Sequence, residues 1–256
     1  MIKIISYNVN GIRAAENKGL STWMQTENPD ILCLQELKAQ PDQINMALYE
    51  SLGYHCYWHT AEKKGYSGVG LLSKQKPNHV EVGTGVDWID YEGRVLRADY
   101  NDFSVISVYL PSGSSGDERQ AFKMKLLAFF QDYIFDLRQR FPKLVICGDY
   151  NICHQAIDIH DPVRNATMSG FLPEEREWFT QYLSRGLVDS FRSLHPNEKQ
   201  QYSWWSYRMN ARVNNKGWRI DYNIITEPLL PVLKSAAIMP QVHHSDHCPV
   251  VVELAL

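Results

Sequence analysis

Residues 144–151 read LVICGDYN, a short apolar run that ends in Gly148, Asp149, Tyr150 and Asn151. Such a run, followed by turn-forming residues, predicts a buried strand and its end. A core strand has no use for an unpaired carboxylate, because burying a charge without a partner is costly. The pattern therefore predicts that the polar residues at this strand end line a functional cleft.

The same pattern recurs from one end of the chain to the other. Several apolar runs end in, carry or follow polar residues of the kinds that bind metals and phosphates. We expect these positions to share one cleft that holds a metal and a phosphate. The residues concerned are Asn8, Asn10, Glu36, Asp221, Asp246 and His247.

Composition is that of a globular protein with a large core. The chain has 256 residues, 44% of them hydrophobic, and a formal net charge of −3. We expect one domain over residues 1–256. The small negative charge means that any nucleic-acid-binding surface must be local.

Cysteines and the N-terminus bear on the compartment. The five cysteines are odd in number and include no CxxC pair, which indicates a reducing compartment without disulfides or a zinc–thiolate site. The N-terminus begins as a strand, without the basic and apolar regions of a signal peptide. No apolar run approaches the roughly 18 residues that a membrane span needs. We therefore expect a cytoplasmic protein without membrane contact.

Periodicity predicts both strands and helices. Short polar turns such as Asn101-Asp102 indicate antiparallel pairing, so the expected arrangement is two mainly antiparallel sheets flanked by helices. The predicted strands are 2–8, 31–36, 54–59, 68–73, 94–100, 103–109, 144–149, 219–225 and 249–255. The predicted helices are Leu20–Thr26, Gln43–Leu52, Gln120–Phe141 and Pro173–Arg185.

The two halves of the chain echo each other. Each has a strand that ends in an Asn-bearing turn, at Asn8 and at Asn151. Each also has a second strand with a carboxylate, Glu36 or Asp221. The pattern predicts a duplicated sandwich with the site across its pseudo-twofold axis.

Glu36 is the candidate metal ligand. It follows Leu32 and Leu34 at a period of two, which predicts that it projects from the same strand face. A carboxylate there is a hard oxygen ligand suited to Mg²⁺. The alternative is an edge glutamate that pairs with Lys38.

Asp149 and Asn151 share parity with Val145 and Cys147, which predicts that both point one way from the strand end. The aspartate can orient or deprotonate an attacking water. The asparagine can donate to the charge that develops on a phosphate. The alternative is an Asx-turn where the strand stops, which Gly148 also favours.

Asp246 and His247 precede the last strand, and Asp221 lies on another. A histidine held by a carboxylate has a fixed tautomer and a favoured cation, so it can act as a base or contact a phosphate. The alternative is a solvated loop histidine, because His243 and His244 are nearby. No HExxH motif or Cys–His spacing supports zinc.

The segment Tyr202–Arg219 is at once aromatic, basic and rich in asparagine. Trp204 and Trp218 with Arg208 nearby suit the stacking of bases or sugars beside phosphate contacts. Each aromatic residue taken singly is more typical of a core. The combination is not typical of a plain core strand.

Eight motifs occur together in the order and rough spacing of one family. They are SYNVNGIRA, DILCLQE, GYSGVGLLS, CGDYNI, GFLPEER, MNAR, GWRIDY and SDHCPV. By these motifs the chain resembles the exonuclease III family of apurinic/apyrimidinic (AP) endonucleases, within the endonuclease/exonuclease/phosphatase superfamily. The resemblance spans essentially the whole chain, which looks like the catalytic domain without the N-terminal extension of the vertebrate members.

This resemblance implies a four-layer α/β sandwich and a DNA-repair activity. It implies Mg²⁺-dependent cleavage of the backbone on the 5′ side of an abasic site, with Mn²⁺ as an alternative ion. It also implies 3′→5′ exonuclease and 3′-phosphatase or 3′-phosphodiesterase activities. The expected partner is double-stranded DNA with abasic sites or blocked 3′ ends, bound by a monomer.

Carried over by position, the resemblance implies a role for each candidate. Glu36 would hold the metal with Asn10 and Asp246 close to it, and Asp149 would align or deprotonate the water. The residues that would contact the water and the phosphate are Asn8, Asn151, Tyr109 and His247, the last paired with Asp221. The residues that would contact DNA or line a pocket for the flipped sugar are Tyr66, Arg94, Asn165, Trp204, Arg208, Trp218 and Ile220.

Some positions depart from the vertebrate pattern. Asn10 stands where vertebrate members have Asp, although bacterial exonuclease III also has Asn. Arg208 replaces an apolar side chain that wedges into the duplex. Polar or basic DNA-contacting residues are replaced by Ser112, Ser115 and Met168. These departures concern lesion affinity and the balance between exonuclease and endonuclease activity, and they leave the phosphate chemistry intact.

Two other functions stay open at this point. A phosphatase of inositol phosphates or other small phosphoesters would keep the phosphate site without needing Tyr66, Arg94 or the Trp204–Trp218 segment. A non-catalytic lesion-binding module would gain nothing from a metal carboxylate beside a water-activating aspartate.

Overall fold

Twelve β-strands form the framework of the protein. The computed structural model describes residues 1–256. All of the predicted strands occur, with ends that differ by one or two residues. The strands are β1 (Ile2–Asn8), β2 (Ile31–Gln35), β3 (His55–His59), β4 (Val69–Ser73), β5 (His79–Val82), β6 (Val95–Asp99), β7 (Ser104–Tyr109), β8 (Leu144–Asp149), β9 (Leu187–Asp189), β10 (Asp221–Thr226), β11 (Leu233–Ile238) and β12 (Val250–Leu254).

The helices lie between the strands and on their outer faces. The predicted helix over Gln43–Leu52 is shorter than expected, because a 3₁₀ turn at Pro41–Gln43 precedes it and Asn45 caps it by accepting from the Leu48 N–H at 3.2 Å. The helices are α1 (Ile12–Glu16), α2 (Leu20–Glu27), α3 (Met46–Ser51), α4 (Asp87–Asp90), α5 (Asp117–Arg140), α6 (Pro173–Ser184) and α7 (Ser190–Leu194).

The strands form two sheets of six. Sheet A has the order β11-β12-β1-β2-β4-β3, and sheet B has the order β5-β6-β7-β8-β10-β9. Each sheet has one parallel pair at its centre, β1 with β2 and β7 with β8, and all its other pairs are antiparallel. The expected pair of mainly antiparallel sheets is confirmed.

The sheets repeat the same strand pattern, so β1 corresponds to β7, β2 to β8 and β4 to β10. The duplicated architecture therefore exists, but the predicted residue pairing is wrong. Asn8 ends β1, whereas Asn151 follows β8, the counterpart of β2. Glu36 follows β2, whereas Asp221 begins β10, the counterpart of β4. Asparagine is frequent in turns, so its presence at two strand ends did not identify equivalent strands.

Three apolar clusters separate four layers. One lies between the sheets and includes Ile4 and Val145. A second joins sheet A to its helices through residues such as Leu32, and a third joins sheet B to α5 and α6 through residues such as Phe130. Each fully buried side chain of this size stabilises the fold by about 1.5–3 kcal/mol. The polar strand ends of both sheets meet at one edge of the inner layer.

All five cysteines are free thiols. None of the helices has the length and apolar character that a membrane crossing requires.

Candidate active site

Four strand ends meet at one edge of the sandwich. β1 runs parallel to β2, and β7 runs parallel to β8, so each pair brings its carboxyl ends to the same edge of its sheet. Across the inner layer, Asn8 Nδ2 donates to Glu36 Oε1 at 2.9 Å and to Asp149 Oδ2 at 2.8 Å. One amide therefore joins the two sheets and brings the predicted residues into one cleft.

Glu36 does not point in the direction expected from its spacing. Leu32 and Leu34 pack in the cluster on the helix side of sheet A, so an extended residue 36 would face the helices. Instead, Glu36 follows the end of β2 with a left-handed φ of 52°, which turns its side chain into the cleft. Asn10 and Asn151 also have left-handed φ values, 46° and 51°. This conformation is uncommon outside glycine and clusters at functional sites.

Asp149 is buried and accepts hydrogen bonds from Asn8 and Asn151. Besides Asn8, the Asn151 N–H donates to its Oδ1 at 2.8 Å. This second bond forms the Asx-turn proposed as the alternative, so the turn and the cleft carboxylate coexist. Asn151 Nδ2 donates to the Leu110 carbonyl at 2.9 Å and lies 3.3 Å from Asp149 Oδ2. The amide is thereby held at the cleft surface.

His247 is 4% exposed, which excludes the solvated loop histidine. Its Nδ1 lies 2.9 Å from Asp221 Oδ2, and the Ser203 hydroxyl donates to the same oxygen at 2.6 Å. Because the carboxylate only accepts, we assign a proton to Nδ1. Nε2 then faces Asp149, 3.9 Å from its Oδ2.

Burial and neighbouring charges change the proton affinities of Asp149 and His247. Burial and the charges of Asp221 and Glu36 raise the pKa of Asp149 to about 8, although the His247 charge opposes them. Burial alone would lower the pKa of His247, but Asp221 and Asp149 outweigh it and raise that pKa to about 10. A carboxyl group with a pKa near neutrality suits proton transfer, and a cationic imidazole suits phosphate contact.

Glu36, Asp149 and His247 lie close enough to surround a metal ion, although a cationic His247 offers it no lone pair. One ligand atom from each lies within 4.8 Å of the others. Glu36 Oε2 also lies 2.7 Å from the Lys38 ammonium, and Lys38 donates to Asn10 Oδ1 at 2.5 Å. The alternative pairing of Glu36 with Lys38 thus occurs, and it shows that the oxygens of Glu36 and Asn10 already surround a positive charge. Carboxylate and amide oxygens of this kind fit a hard divalent cation.

Asp246 lies beside the cluster of Glu36, Asp149 and His247 and is not part of it. Its Oδ1 accepts from Asn10 Nδ2 at 2.8 Å, and its Oδ2 accepts from Trp204 Nε1 at 3.0 Å. Burial disfavours its charge, but His247 and these two hydrogen bonds outweigh burial and lower the pKa of Asp246. In this geometry Asp246 orients Asn10 and Trp204.

Arg94 is buried, and its hydrogen bonds are made to other residues of the protein. It is 1% exposed, and it donates to the Tyr109 carbonyl at 2.7 Å and to the Tyr66 hydroxyl at 3.0 Å. Its Nε donates to Glu92 at 2.6 Å. These contacts do not support the expected direct contact of Arg94 with DNA, because its donors are used inside the protein. Arg94 instead positions Tyr66 and Tyr109.

The Tyr109 phenol lies beside Glu36 in the cleft. Burial and the charge of Glu36 hold the pKa of Tyr109 well above its usual range, although the Arg94 charge opposes them. The guanidinium of Arg94 is 4.8 Å from the centre of the Tyr109 ring. The hydroxyl therefore stays protonated and is available as a donor.

An apolar pocket adjoins the polar cluster. The rings of Trp204 and Trp218 meet edge to face with centres 5.9 Å apart, and Ile220 packs with them. These three residues line a cleft of about 390 Å³ together with Asn151 and His247. The structure thus brings the expected pocket residues next to the phosphate-site residues.

Arg208 and Asn165 lie outside this cleft, on an adjoining concavity of about 560 Å³. The side chain of Arg208 is exposed. Asn165 Nδ2 donates to the carbonyls of His160 and Asp161 at 2.8 and 3.0 Å, so the amide fixes its own loop. Of the two, only Arg208 offers free donors on this surface.

Several groups of the site escaped the sequence analysis. Ser203 holds Asp221, and Glu92 holds Arg94, through contacts between distant or unremarkable positions that no motif marks. Lys38 carried a usable signal, since it follows Glu36 by two residues and was considered only as its ion-pair partner. Lys38 also donates to Asn10, so its ammonium lies beside both Glu36 and Asn10, which the spacing did not predict.

Comparisons with known proteins give the family of the chain and relatives that share its fold. The model of the endonuclease/exonuclease/phosphatase family matches residues 5–247. An exodeoxyribonuclease of Bacillus subtilis (strain 168) is 44% identical over 250 residues, which cover 97% of this chain and 98% of the relative. The solved structure of a 3′ phosphatase, NExo, from Neisseria bound to product DNA hairpin has a TM-score of 0.93 at 30% identity, with full coverage of both chains. That of an AP endonuclease from Archaeoglobus fulgidus has a TM-score of 0.91 at 30% identity, also with full coverage of both (100%).

Proposed function

The chain belongs to the endonuclease/exonuclease/phosphatase family, and we propose that it is a DNA-repair phosphodiesterase that cuts the backbone 5′ to abasic sites. We further propose 3′→5′ exonuclease and 3′-phosphatase or 3′-phosphodiesterase activity at the same site. The observation that carries the proposal is one cleft in which Asp149, Asn151 and His247 adjoin the pocket of Trp204 and Trp218.

Asp149 is the proposed proton acceptor for the attacking water. Its pKa of about 8 suits it to take a proton while the water oxygen bonds to phosphorus. The bond from phosphorus to the 3′ oxygen then breaks, and the leaving oxygen is protonated from solvent. Cleavage 5′ to the lesion therefore leaves a 3′ hydroxyl on one side and a 5′ phosphate on the other.

Four neutral or cationic donors are proposed to stabilise the charge on the phosphate during this step. Tyr109 presents its phenol, and His247 presents the cationic imidazole that Asp221 orients. Asn8 and Asn151 would each turn towards the phosphate an amide N–H that now bonds to Asp149. The phenol and the imidazole are fixed before the reaction, so they need no reorganisation as charge develops.

The proposed cofactor is Mg²⁺, with Mn²⁺ as an alternative ion. Glu36 would hold it, with Asn10 and Asp246 close by, and Lys38 would leave the carboxylate oxygen that it now contacts. Bound there, the ion would polarise the phosphate and stabilise the leaving oxygen.

The apolar pocket is proposed to select abasic sites. Trp204, Trp218 and Ile220 offer apolar surface and few polar partners, which suits a bare deoxyribose. An intact nucleotide would bring a base to accommodate, and a missing base also costs less to flip out of the duplex. The exposed Arg208 on the adjoining concavity is proposed to contact the DNA.

The remaining expectations stay proposals. The substrate is double-stranded DNA with abasic sites or blocked 3′ ends, and the protein acts as a monomer in the cytoplasm. Residues 1–256 form one catalytic domain.

The test uses a 5′-labelled duplex with one internal tetrahydrofuran abasic analogue, incubated with the protein in Mg²⁺ or in EDTA. A single Mg²⁺-dependent cut immediately 5′ to the analogue is expected, and a ladder from the 3′ ends would add the exonuclease. An uncut duplex in Mg²⁺, together with phosphate release from a small phosphoester such as an inositol phosphate, would contradict the proposal and support a phosphatase of small phosphoesters. Binding of the duplex without cleavage would revive the non-catalytic module.

A further inference from the structure

Lys123 and Glu175 form an ion pair buried beneath the cleft. Both side chains are 0% exposed, and Nζ lies 2.6 Å from Oε1. A buried pair contributes little net stability, because desolvation of two charges offsets most of their attraction. Apolar residues of similar volume would serve a purely structural purpose as well. The contacts that the Lys123–Glu175 pair makes with other residues therefore have to explain why two charges are buried there.

The pair reaches the cleft through the main chain of two loops. Lys123 Nζ donates to the Asn151 carbonyl at 2.9 Å. Glu175 Oε2 accepts from the N–H groups of Gly170 at 2.6 Å and Leu172 at 3.1 Å. Asn151 and Gly170 line the cleft, whereas Lys123 and Glu175 do not.

The two loops are packed too closely to move independently. The Gly170 carbonyl accepts from the Cys153 N–H at 2.7 Å. Gly170 has a φ of 97°, and a Cβ there would lie 2.9 Å from the Trp218 ring and 3.2 Å from the Asn151 carbonyl oxygen. A small displacement of Gly170 would therefore move the pocket wall and Asn151 together.

Asn151 has a particular need for this support. It has a left-handed φ of 51°, which is uncommon for residues other than glycine. Its N–H is held by Asp149 and its carbonyl by Lys123. Loss of the second contact would free the residue to leave this conformation, and its amide would then move away from Asp149.

We propose that Lys123 and Glu175 are positioning residues that act through main-chain contacts to fix Asn151 and Gly170 for catalysis. The inference rests on the phosphodiesterase function proposed above. Neither residue touches the substrate, so the pair affects the rate of the chemical step more than the binding of DNA.

A matched control exists at the other end of sheet B. Arg97 and Asp99 also form a largely buried pair, with side chains 7% and 9% exposed and Nε 2.9 Å from Oδ1. Asp99 pairs with Ser104, at the opposite end of the strands from Tyr109 and Asp149. Both residues lie on β6, Arg97 also lies 3.9 Å from Glu81 on β5, and the pair holds no loop of the cleft.

The experiment compares Lys123→Met/Glu175→Gln with Arg97→Met/Asp99→Asn. Both double variants remove two charges without leaving one unpaired. For cleavage of the abasic duplex, kcat of Lys123→Met/Glu175→Gln should fall about 30-fold, and KM should change little. A displacement of a catalytic group by about 1 Å can lower the rate by up to 10²-fold. The control should lower Tm and leave kcat unchanged. Gln120→Ala removes the hydrogen bond to Glu175 at 3.0 Å and the acceptor of the Ser169 hydroxyl at 2.7 Å, and it should lower kcat by about threefold even if the double variant does not fold.

The Asn151→Ala background shows whether the pair acts through Asn151. There the first double variant should cause little further loss of kcat, while its effect on Tm should persist. A Tm loss with normal kcat, or an equal loss of kcat with and without Asn151, would overturn the inference. Failure of the wild-type protein to cut the same duplex would instead count against the proposed function.

Discussion

The two sheets have the same order and direction of strands, yet their ends carry different chemistry. At the end of sheet A, Glu36 and Lys38 are partly exposed, with side chains 15% and 36% accessible. At the end of sheet B, Asp149 and Asp221 are almost fully buried, at 1% and 2%. The duplication therefore supplies two similar scaffolds, and under the proposed function the difference in burial would make one side a cation site and the other a proton-transfer site.

The carboxylates show this difference in their proton affinities. Burial disfavours the charge of Glu36, but Lys38 and His247 outweigh it and lower the pKa of Glu36. Burial and two neighbouring carboxylates raise the pKa of Asp149 to about 8. Two acids whose environments push their pKa values apart are suited to different roles. A Glu36 that favours its charged form suits a cation, whereas Asp149 suits the exchange of a proton.

The strongest test of this division is Asp149→Asn. The variant keeps the shape of the side chain but removes the proton acceptor, so cleavage should slow by about 10³-fold or more while DNA binding remains. Single-turnover cleavage and a binding titration with the abasic duplex measure the two effects. Raising Mg²⁺ should not restore the rate. Near wild-type turnover would remove Asp149 from its assigned role.

Asp221→Asn tests the electrostatic support that sheet B gives to His247, which precedes β12 of sheet A, with an expected loss of activity of about 10²-fold. Burial would lower the pKa of His247, and Asp221 is the largest of the charges that raise it to about 10. Without Asp221, His247 loses its proton at a lower pH, so the alkaline fall in activity should begin earlier. Asp221 also raises the pKa of Asp149, so the acid limb should shift to lower pH as well.

The pH profile of kcat/KM measures both limbs of Asp221→Asn. Ser203→Ala is a milder companion, because it removes only the hydroxyl that donates to Asp221 Oδ2 at 2.6 Å. An unchanged alkaline limb in Asp221→Asn would contradict the assignment of His247 as the cationic group.

Glu36→Gln tests the sheet A side and should behave in the opposite way to Asp149→Asn. Loss of the charge should weaken metal affinity by at least about tenfold, because even indirect ligand partners contribute that much. Raising Mg²⁺ should restore most of the rate. Titration with Mn²⁺, followed by electron paramagnetic resonance, measures affinity without catalysis. A rate that stays low at saturating metal would show that Glu36 does more than hold the cation.

Much of the fold could be predicted from the sequence, because the central strands are continuous apolar runs. The strands that were missed, β5, β9 and β11, all lie at sheet edges. The exposed sequence HVEV of β5 and the three residues of β9 give little periodic signal. Edge strands are short or half exposed, so the pattern that marks a buried strand is weak there.

The residues of the candidate site could be predicted from the sequence, but their arrangement could not. The polar strand ends and motifs identified Glu36, Asp149 and His247, which the fold brings together. Period-two spacing gave the wrong direction for Glu36, because a left-handed residue lies where extended geometry was assumed. The burial of Arg94 was also missed, since its contact with Tyr109 depends on how two strands and a loop pack.

The smallest expected effect concerns the polar contact that links the sheets behind the site. Gln35 Nε2 donates to the Ser107 hydroxyl at 3.2 Å, and that hydroxyl donates to the Leu34 carbonyl at 3.2 Å. Ser107→Ala would leave the buried Gln35 amide without this acceptor, so the free energy of unfolding should fall by about 1–2 kcal/mol. Ser104→Ala, on the same strand without such a bond, should cost less. Urea unfolding measures both.

The cleavage rate of Ser107→Ala shows how rigidly the halves must be held. Asn8 still bridges Glu36 and Asp149 in this variant, so the rate should change by less than about threefold, within the effect of one hydrogen bond. A larger loss without unfolding would mean that the cation side and the proton-transfer side shift relative to each other. The two sheets would then act as one catalytic unit whose alignment depends on their shared interior.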